Sequence, residues 1–278
     1  MISYDSQEIL VAFGKQRGIT FPLLSDVGSA TIKRYGILNP FVAEALGPNR
    51  DDPAVKADVE KYVSVVGARA EMNGISFPGT FFLDRRGRVT SRYFEDFYIE
   101  RNTVSSLVVK QGGKTEAAVA GTKISNNHLD ATSYVSNPAV AVGNRFSVVL
   151  EVQPHEHLHV YAPGAEKSGY RVISLKLDPN PQIQEFPMRY PASEIYYFKP
   201  LKERVPVFQK PFRLMQELVL DGSLKGQEAL RGKEEMTITG TLQYQACNDT
   251  TCFNPVSLPV SWKVSLRTLI RERPTVAR

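Results

Sequence analysis

The spacing of apolar residues divides the chain into a first part with helical periodicity and a second part with strand-like alternation. Ser6 is suited to cap a helix, because Ile9, Leu10 and Phe13 then recur at helical spacing until Gly18. Further helices are predicted at residues 29–35, 54–66 and 103–110, short apolar strands at 19–24, 80–83 and 88–94, and an irregular segment at 39–53. Alternating helices and short strands indicate an α/β layer.

After Gly113 the pattern becomes strand-like, with Pro, Gly and Asn between the apolar runs. Strands are predicted at residues 123–126, 131–135, 145–153, 157–162, 170–177, 211–219, 235–246 and 256–266. About eight strands separated by turn signals predict a β-sandwich. Two domains are the expectation for 278 residues. We predict a first domain at 1–112, a linker at 113–121, the sandwich at 122–267 and a loose tail at 268–278.

Composition excludes several classes of protein. Hydrophobic residues make up 42% of the chain and charged residues 23%, which is ordinary for a soluble globular protein. The net charge is +5, and the basic clusters at 199–213 and 267–278 lack the interleaved aromatic residues and glycines of a nucleic-acid motif. No apolar run approaches the roughly 18–20 residues of a membrane span. The N-terminus has no basic region followed by an apolar stretch, so we expect no signal peptide.

The candidate chemistry lies in the two cysteines, Cys247 and Cys252. The four residues between them include Asn248 and Asp249, which favour a turn, and strand-like runs lie on both sides. Such a turn can bring the cysteines within the roughly 4.4–6.8 Å Cα separation of a disulfide. A loop this small adds relatively little stability, which favours a working redox pair. A structural disulfide is the alternative.

Other polar and aromatic residues near the pair have ordinary alternatives. The Asp249 carboxylate would disfavour a nearby thiolate. Tyr244 is a candidate supporting residue, and Tyr196 and Tyr197 could also line the cysteine pocket, although core packing is the usual fate of aromatic residues in a sandwich. Asp26 is better explained as a cap than as a catalyst.

Three histidines occupy alternate positions between residues 155 and 159. On a strand, His155, His157 and His159 would share one face and could hold Zn, Ni or Cu. Because Pro154 precedes them, the strand could begin only at His157. We therefore expect no metal site, a structural role for His159, and no cofactor.

Four stretches of the first hundred residues match a known family: ISYDS at 2–6, ITFPLLSD at 19–26, YGI at 35–37 and FPGTFFLDRRG at 77–87. They resemble the redoxins of the AhpC/TSA superfamily, which implies a thioredoxin-like fold. In that family the reactive cysteine lies upstream of the strand where this chain begins. Since no cysteine precedes Cys247, we expect an incomplete, inactive domain whose reading frame starts late, or alternatively a docking module.

Pro78 is a supporting residue that this resemblance implies. Thioredoxin-like proteins usually carry a cis-proline at this point, facing the reactive thiol, and an X-Pro bond is the kind that adopts cis at low cost. The Phe77–Pro78 dipeptide therefore favours a thioredoxin-type redoxin over a peroxidase. Peroxide consumption is not expected, because no peroxidatic cysteine is present.

The second part resembles the N-terminal domain of the thiol:disulfide interchange protein DsbD. The matching residues are HVYAPG at 159–164, YP at 190–191, YQAC at 244–247, Cys252 and Pro255. The resemblance implies an immunoglobulin-like sandwich, exchange with thiol or disulfide protein partners, and a cap loop, which by chain order falls within 187–206. It favours Cys252 as the attacking cysteine, and the spacing of the pair is shorter than the family's commonest form.

These features predict a thiol-disulfide oxidoreductase or electron-transfer protein that uses Cys247 and Cys252. The alternative is a non-catalytic binding protein with a structural disulfide. The resemblance implies a bacterial periplasm or cell envelope, whereas the missing signal peptide would fit the cytoplasm.

Overall fold

The computed structural model describes residues 1–65, 67–95 and 99–268. This part of the chain divides into two compact units. The first comprises Met1–Arg101 and Ser223–Lys225, and the second comprises Asn102–Gly222 and Gly226–Thr268. The domain limits expected from the sequence, at residues 112 and 122, stay a prediction. The expected loose tail lies almost entirely outside the described residues.

The first unit consists of helices and short paired strands. Its described helices are α1 (Gln7–Arg17), α2 (Ala30–Arg34), α3 (Phe41–Leu46) and α4 (Pro53–Val65), with a 3-10 helix at Ala70–Met72. Its described strands are β1 (Ile2–Ser3), β2 (Leu24–Ser25), β3 (Gly79–Leu83) and β4 (Val89–Phe94). A further strand, β5 (Arg101–Asn102), begins at Arg101, where the main segment of this unit ends. β1 and β2 pair in parallel, and β3 and β4 pair antiparallel.

Local capping explains why several of these elements form where the sequence predicts them. The Ser6 hydroxyl accepts a hydrogen bond from the backbone N–H of Ile9, and Gly18 ends α1 in the left-handed conformation at φ 62°. The Asp26 carboxylate accepts two backbone N–H groups in the first turn of α2, and these bonds hold the pKa of Asp26 below its usual value. The caps predicted at Ser6, Gly18 and Asp26 are therefore confirmed.

Two predictions for the first unit are wrong. The segment 39–53 contains α3, because Phe41 is buried and stacks on Tyr62 with ring centroids 4.8 Å apart. This packing comes from α4 and has no local sequence signal. The strand predicted at 19–24 is reduced to β2, since Phe21 and Leu24 are each 55% exposed and have no buried face to support a longer strand.

The second unit is mostly β-sheet. Its described helices are α5 (Val104–Lys110), α6 (Glu116–Val119) and α7 (Leu224–Ala229), the last of which begins in the first unit, with a 3-10 helix at Ala165–Ser168. Its described strands are β6 (Thr122–Ser125), β7 (Leu129–Val135), β8 (Ala139–Ala141), β9 (Asn144–Pro154), β10 (His159–Tyr161), β11 (Ser174–Leu177), β12 (Ile183–Glu185), β13 (Glu194–Phe198), β14 (Glu203–Phe208), β15 (Phe212–Leu220), β16 (Glu235–Tyr244), β17 (Ala246–Cys247) and β18 (Val256–Arg267).

These strands form three sheets. One has the order β12-β15-β9-β7-β6, the second β11-β16-β18-β8, and the third β13-β14-β10-β17. The main core contains Phe146, Leu150 and Leu218 from the first sheet and Leu242 and Trp262 from the second. Two sheets that bury a shared core agree with the predicted β-sandwich. The third sheet carries Cys247.

The helices α5 and α6 cover the outer face of the first sheet. Val149 of β9 packs there with Val109 of α5 and with Met215 of β15, while its neighbours along β9 face the main core. Arg213 of β15 donates hydrogen bonds to the backbone carbonyls of Val109 and Gly113, at 3.4 and 3.1 Å. Burial on both faces explains the continuous apolar run in β9, because a sheet with one solvent-exposed face would show alternating apolar and polar residues instead.

Several strand predictions for the second unit are incomplete. The strand predicted at 157–162 begins only at His159, because His157 lies in a turn at φ 64°. The strand predicted at 170–177 begins at Ser174, and β8, β12, β13 and β14 were not predicted. Within the described part of the chain, no helix is long and apolar enough to span a membrane.

Candidate functional site

Cys247 and Cys252 form a disulfide across a tight turn, with their Cα atoms 4.1 Å apart. The side-chain oxygen of Asn248 accepts hydrogen bonds from the backbone N–H groups of Thr250 and Thr251, at 2.9 and 2.7 Å. The backbone N–H of Asn248 donates to the Thr251 carbonyl at 2.9 Å. The turn that the sequence predicted between the cysteines is therefore confirmed, and Asn248 is the residue that builds it.

The two sulfur-bearing residues differ in exposure. Cys247 is fully buried at the end of β17, whereas Cys252 is partly exposed. Since disulfide exchange requires a thiolate to approach one sulfur along the S–S axis, the exposed side of the pair is the accessible one. The geometry therefore favours attack at Cys252.

Tyr161 makes the closest polar contact to the disulfide. Its hydroxyl donates a hydrogen bond to the Cys247 sulfur at 2.9 Å and lies 3.3 Å from the Cys252 sulfur. The ring is fully buried and stacks on Tyr170 at 4.1 Å between centroids, and the Tyr170 hydroxyl donates to the Glu203 carboxylate at 2.8 Å. Burial raises the pKa of Tyr161 well above its usual value, so the hydroxyl stays a donor.

Tyr161 was not predicted as a site residue. It lies 86 residues before Cys247 in the chain and reaches the disulfide because β10 pairs with β17. An alternating strand pattern at 159–161 could show that His159 and Tyr161 share a face, but the pairing of that strand with the cysteine strand has no local signal.

His159 occupies the position directly opposite Cys247 in the β10–β17 pair. Its imidazole is buried between Tyr161 and Tyr196, with ring centroids 5.5 and 4.4 Å away. Burial lowers the pKa of His159 to about 4, against a smaller opposing effect of the Asp249 carboxylate. The imidazole is therefore neutral near pH 7.

The three alternating histidines do not share one strand face, so that interpretation is wrong. His157 lies in a turn with a positive φ, and the His155 imidazole lies 3.3 Å from the Asp130 carboxylate. His159 faces the disulfide instead. Among the described residues, no group of three or more His, Cys, Asp or Glu side chains is placed to hold a metal ion.

Tyr196 of β13 covers the disulfide side of the third sheet. Its hydroxyl donates a hydrogen bond to the Asp249 carboxylate at 2.6 Å, and its ring packs against the cluster that contains Cys247 and Cys252. Burial and this bond raise the pKa of Tyr196 to about 12. Its neighbour Tyr197 is exposed, so of these two tyrosines only Tyr196 contacts the site. The residues 187–206 proposed as a cap contain the whole of β13.

Tyr244, the predicted supporting residue, does not contact the disulfide. It is fully buried in the main core. Its hydroxyl accepts a hydrogen bond from the Asn126 side-chain amide at 2.8 Å and lies 3.4 Å from His128 Nδ1. The structure thus brings Cys247, Cys252 and Asp249 together and places Tyr244 in the packing of the sandwich.

A family model matches part of the first unit. Residues 1–92 match the AhpC/TSA family. The predicted redoxin resemblance is therefore confirmed over those residues. No curated protein sequence matches the chain.

The solved structures that are similar to this chain include two N-terminal domains. One is the DsbD N-terminal domain of Neisseria meningitidis in the reduced form, at 14% identity and a TM-score of 0.27, over 43% of this chain and 81% of that one. The other is the N-terminal periplasmic domain of ScsB from Proteus mirabilis, at 11% identity and a TM-score of 0.32, over 50% of each chain. The predicted likeness to the DsbD domain is thus found.

Within the family match, Pro78 precedes β3 and its peptide bond is trans. The expectation of a cis bond is therefore wrong. The Pro78 carbonyl accepts a hydrogen bond from the backbone N–H of Glu95 at 3.2 Å, and the trans form of an X-Pro bond is favoured by about 0.5–1 kcal/mol without further contacts. Pro78 lies in the first unit and Cys247 and Cys252 in the second.

Proposed function

We propose that the second unit is a thiol-disulfide exchange module whose reacting groups are Cys247 and Cys252. The observation that carries the proposal is the pairing of a partly exposed cysteine, Cys252, with a fully buried one whose sulfur accepts a hydrogen bond from Tyr161. A partner thiolate attacks the Cys252 sulfur, and the S–S bond breaks. The electron pair goes to the Cys247 sulfur, where the Tyr161 hydroxyl stabilises the new thiolate.

The first unit supports the same class of function without supplying a reacting group. Residues 1–92 match a redoxin family, and the sequence has no cysteine before Cys247. A redoxin nucleophile must be a thiolate. We therefore assign thiol chemistry in this chain to the second unit, and a docking role to the first.

The partner, location and finer fold follow as parts of this proposal. A partner protein with a dithiol or disulfide provides the reacting group that exchange requires. A disulfide persists in an oxidising compartment, such as the bacterial periplasm or cell envelope. For the sheets of the second unit we propose an immunoglobulin-like arrangement, which an experimental structure would test by its strand order.

A redox titration tests the proposed function. The purified protein is equilibrated with glutathione buffers, trapped with an alkylating reagent, and measured by mass spectrometry. We expect a reduction potential within roughly −270 to −180 mV, the range of thiol-exchange proteins. A potential below roughly −300 mV would contradict the proposal and indicate a structural disulfide.

The second candidate function is a binding protein with a permanent disulfide. It is favoured by the turn between the cysteines, whose backbone groups are already satisfied by Asn248. The packing of Tyr196 against the two cysteines also favours it, because this packing limits access to the disulfide. In that case a single-cysteine variant would capture no thiol protein.

The hydroxyl of Tyr196 should slow access to the disulfide. Replacing Tyr196 by Phe removes the hydrogen bond to Asp249 and leaves the ring in place. A hydrogen bond to a charged group contributes about 1.5–3 kcal/mol, and solvent around the exposed Asp249 carboxylate reduces this to about 1 kcal/mol. We therefore expect the disulfide to be reduced roughly three- to tenfold faster. The measurement is the rate of reduction by dithiothreitol, followed by alkylation and mass spectrometry.

Tyr197→Phe is the matched control, because the exposed Tyr197 neighbours Tyr196 on the same strand and points away from the site. It should react at the wild-type rate. Equal rates for Tyr196→Phe and the wild type would show that the bond to Asp249 does not limit access.

A further inference from the structure

His159 carries a buried polar atom whose partner is missing while the disulfide is intact. The residue is 1% exposed, and its Nε2 atom is buried without a hydrogen-bond partner among the described residues. Buried polar atoms are nearly always hydrogen-bonded, and one that is not costs free energy. A state of the protein that supplies a partner would therefore be favoured.

The place of His159 in the sheet indicates which group could supply the partner. His159 and Cys247 are directly paired residues of neighbouring antiparallel strands, so their side chains lie on one face of the sheet. Tyr161 lies on the same face two residues later, and its hydroxyl already contacts the Cys247 sulfur. In the neutral imidazole with its proton on Nδ1, Nε2 is a hydrogen-bond acceptor. A disulfide sulfur has no proton to give such an acceptor, whereas a reduced Cys247 would have one.

We propose that His159 is a positioning residue for the thiol exchange, because its Nε2 atom becomes the hydrogen-bond partner of the Cys247 sulfur when the disulfide is reduced. This inference rests on the proposed function and adds a residue to it. The new contact favours the dithiol over the disulfide, and it holds a proton close to the buried sulfur.

The exchange step balances with a protein dithiol as the reductant. One partner thiolate attacks Cys252, and the Cys247 sulfur leaves with the electron pair of the S–S bond. The second thiolate of the partner then attacks the partner's first sulfur, which is bonded to Cys252 in the mixed disulfide, and Cys252 is released. The partner leaves as a disulfide, and the two protons of its thiols end on Cys252 and on the Cys247–His159 pair.

The groups that face His159 determine its charge in each state. Burial keeps the imidazole neutral in the oxidised protein, and the Asp249 carboxylate acts in the opposite direction. Tyr161 and Tyr196, which pack on the two sides of the ring, have raised pKa values and stay uncharged phenols. A Cys247 thiolate adds a negative charge beside the ring, which raises the pKa of His159.

Nuclear magnetic resonance of the imidazole nitrogens tests this directly in the wild-type protein. Protein labelled with nitrogen-15 is recorded oxidised and after reduction by dithiothreitol, across a pH series. We expect the Nε2 resonance of His159 to shift on reduction and its pKa to rise. The inference is overturned if the resonance and the pKa of His159 are the same in both states.

The redox equilibrium gives an independent readout. His159→Phe keeps a ring between the two tyrosines and removes both nitrogens. We expect its equilibrium with glutathione to move roughly tenfold toward the disulfide, which equals about 30 mV for this two-electron couple. His159→Gln, which retains a hydrogen-bonding group, should recover part of that shift.

His155→Gln is the control, because His155 contacts Asp130 and lies outside the site. It should match the wild type, and an equal potential for His159→Phe and the wild type would overturn the inference. Failure of the proposed function looks different. In that case no protein dithiol reduces the wild type, while dithiothreitol still does and the imidazole of His159 still responds.

Discussion

Replacing Cys247 by Ser should turn the protein into a trap for its thiol partners, while replacing Cys252 by Ser should leave it nearly unreactive. In Cys247→Ser the remaining cysteine is the partly exposed Cys252, and the resolving sulfur is gone. A mixed disulfide at Cys252 would therefore persist. In Cys252→Ser the remaining cysteine is fully buried and hydrogen-bonded to Tyr161. We expect at least about a tenfold difference in alkylation rate, because reactivity follows access to the thiolate.

The measurement is alkylation of each variant under native conditions, followed by mass spectrometry, and capture of mixed disulfides from a periplasmic extract on non-reducing gels. A double Cys247→Ser/Cys252→Ser variant controls for non-covalent binding. The small loop between the cysteines adds little stability, so both single variants should fold. Preferential trapping by Cys252→Ser would reverse the assignment of the attacked sulfur, and an absence of mixed disulfides from both would favour the structural alternative.

Replacing Glu217 by Ala should destabilise the second unit by about 3–5 kcal/mol, the cost of leaving buried charges without their partner. Glu217 of β15 lies on the outer face of the first sheet and is 4% exposed. Its carboxylate forms an ion pair with Lys110 of α5 and a second with Arg145 of β9, the latter at 2.9 Å. Removing the carboxylate takes away the anion that pairs with both of these largely buried cations.

Urea unfolding followed by circular dichroism measures this change. Glu235→Ala is the matched control, because Glu235 also pairs with a lysine, Lys263, at 2.7 Å, but both side chains are more than half exposed. Exposed pairs contribute about 0–1 kcal/mol, so the control should remain close to the wild type. Similar unfolding free energies for the two variants would contradict the structural importance of the buried cluster. A large loss for Glu217→Ala would also support assigning α5 to the second unit.

Local chemistry explains the elements that could be predicted. The helix α1 has its cap at Ser6 and its end at Gly18, both of which are properties of single residues. The alternation along β16 and β18 follows from one face packing on the core. By contrast, α3 depends on Phe41 reaching Tyr62 of a later helix, which no local pattern records. The redoxin resemblance of the first unit was carried by short motifs and is matched over residues 1–92.

The features of the site likewise include some that follow from local sequence and others that depend on distant parts of the chain. The sequence alone determined the cysteine pair, the turn between the two cysteines and the role of Asn248 in that turn, because these depend on six consecutive residues. Only the tertiary structure decided that Tyr161 and His159 face the disulfide, that Tyr196 covers it, and that Tyr244 does not reach it. The physical reason is strand pairing: the register between β10 and β17 brings together residues far apart in the chain, and that register depends on how the whole sheet packs.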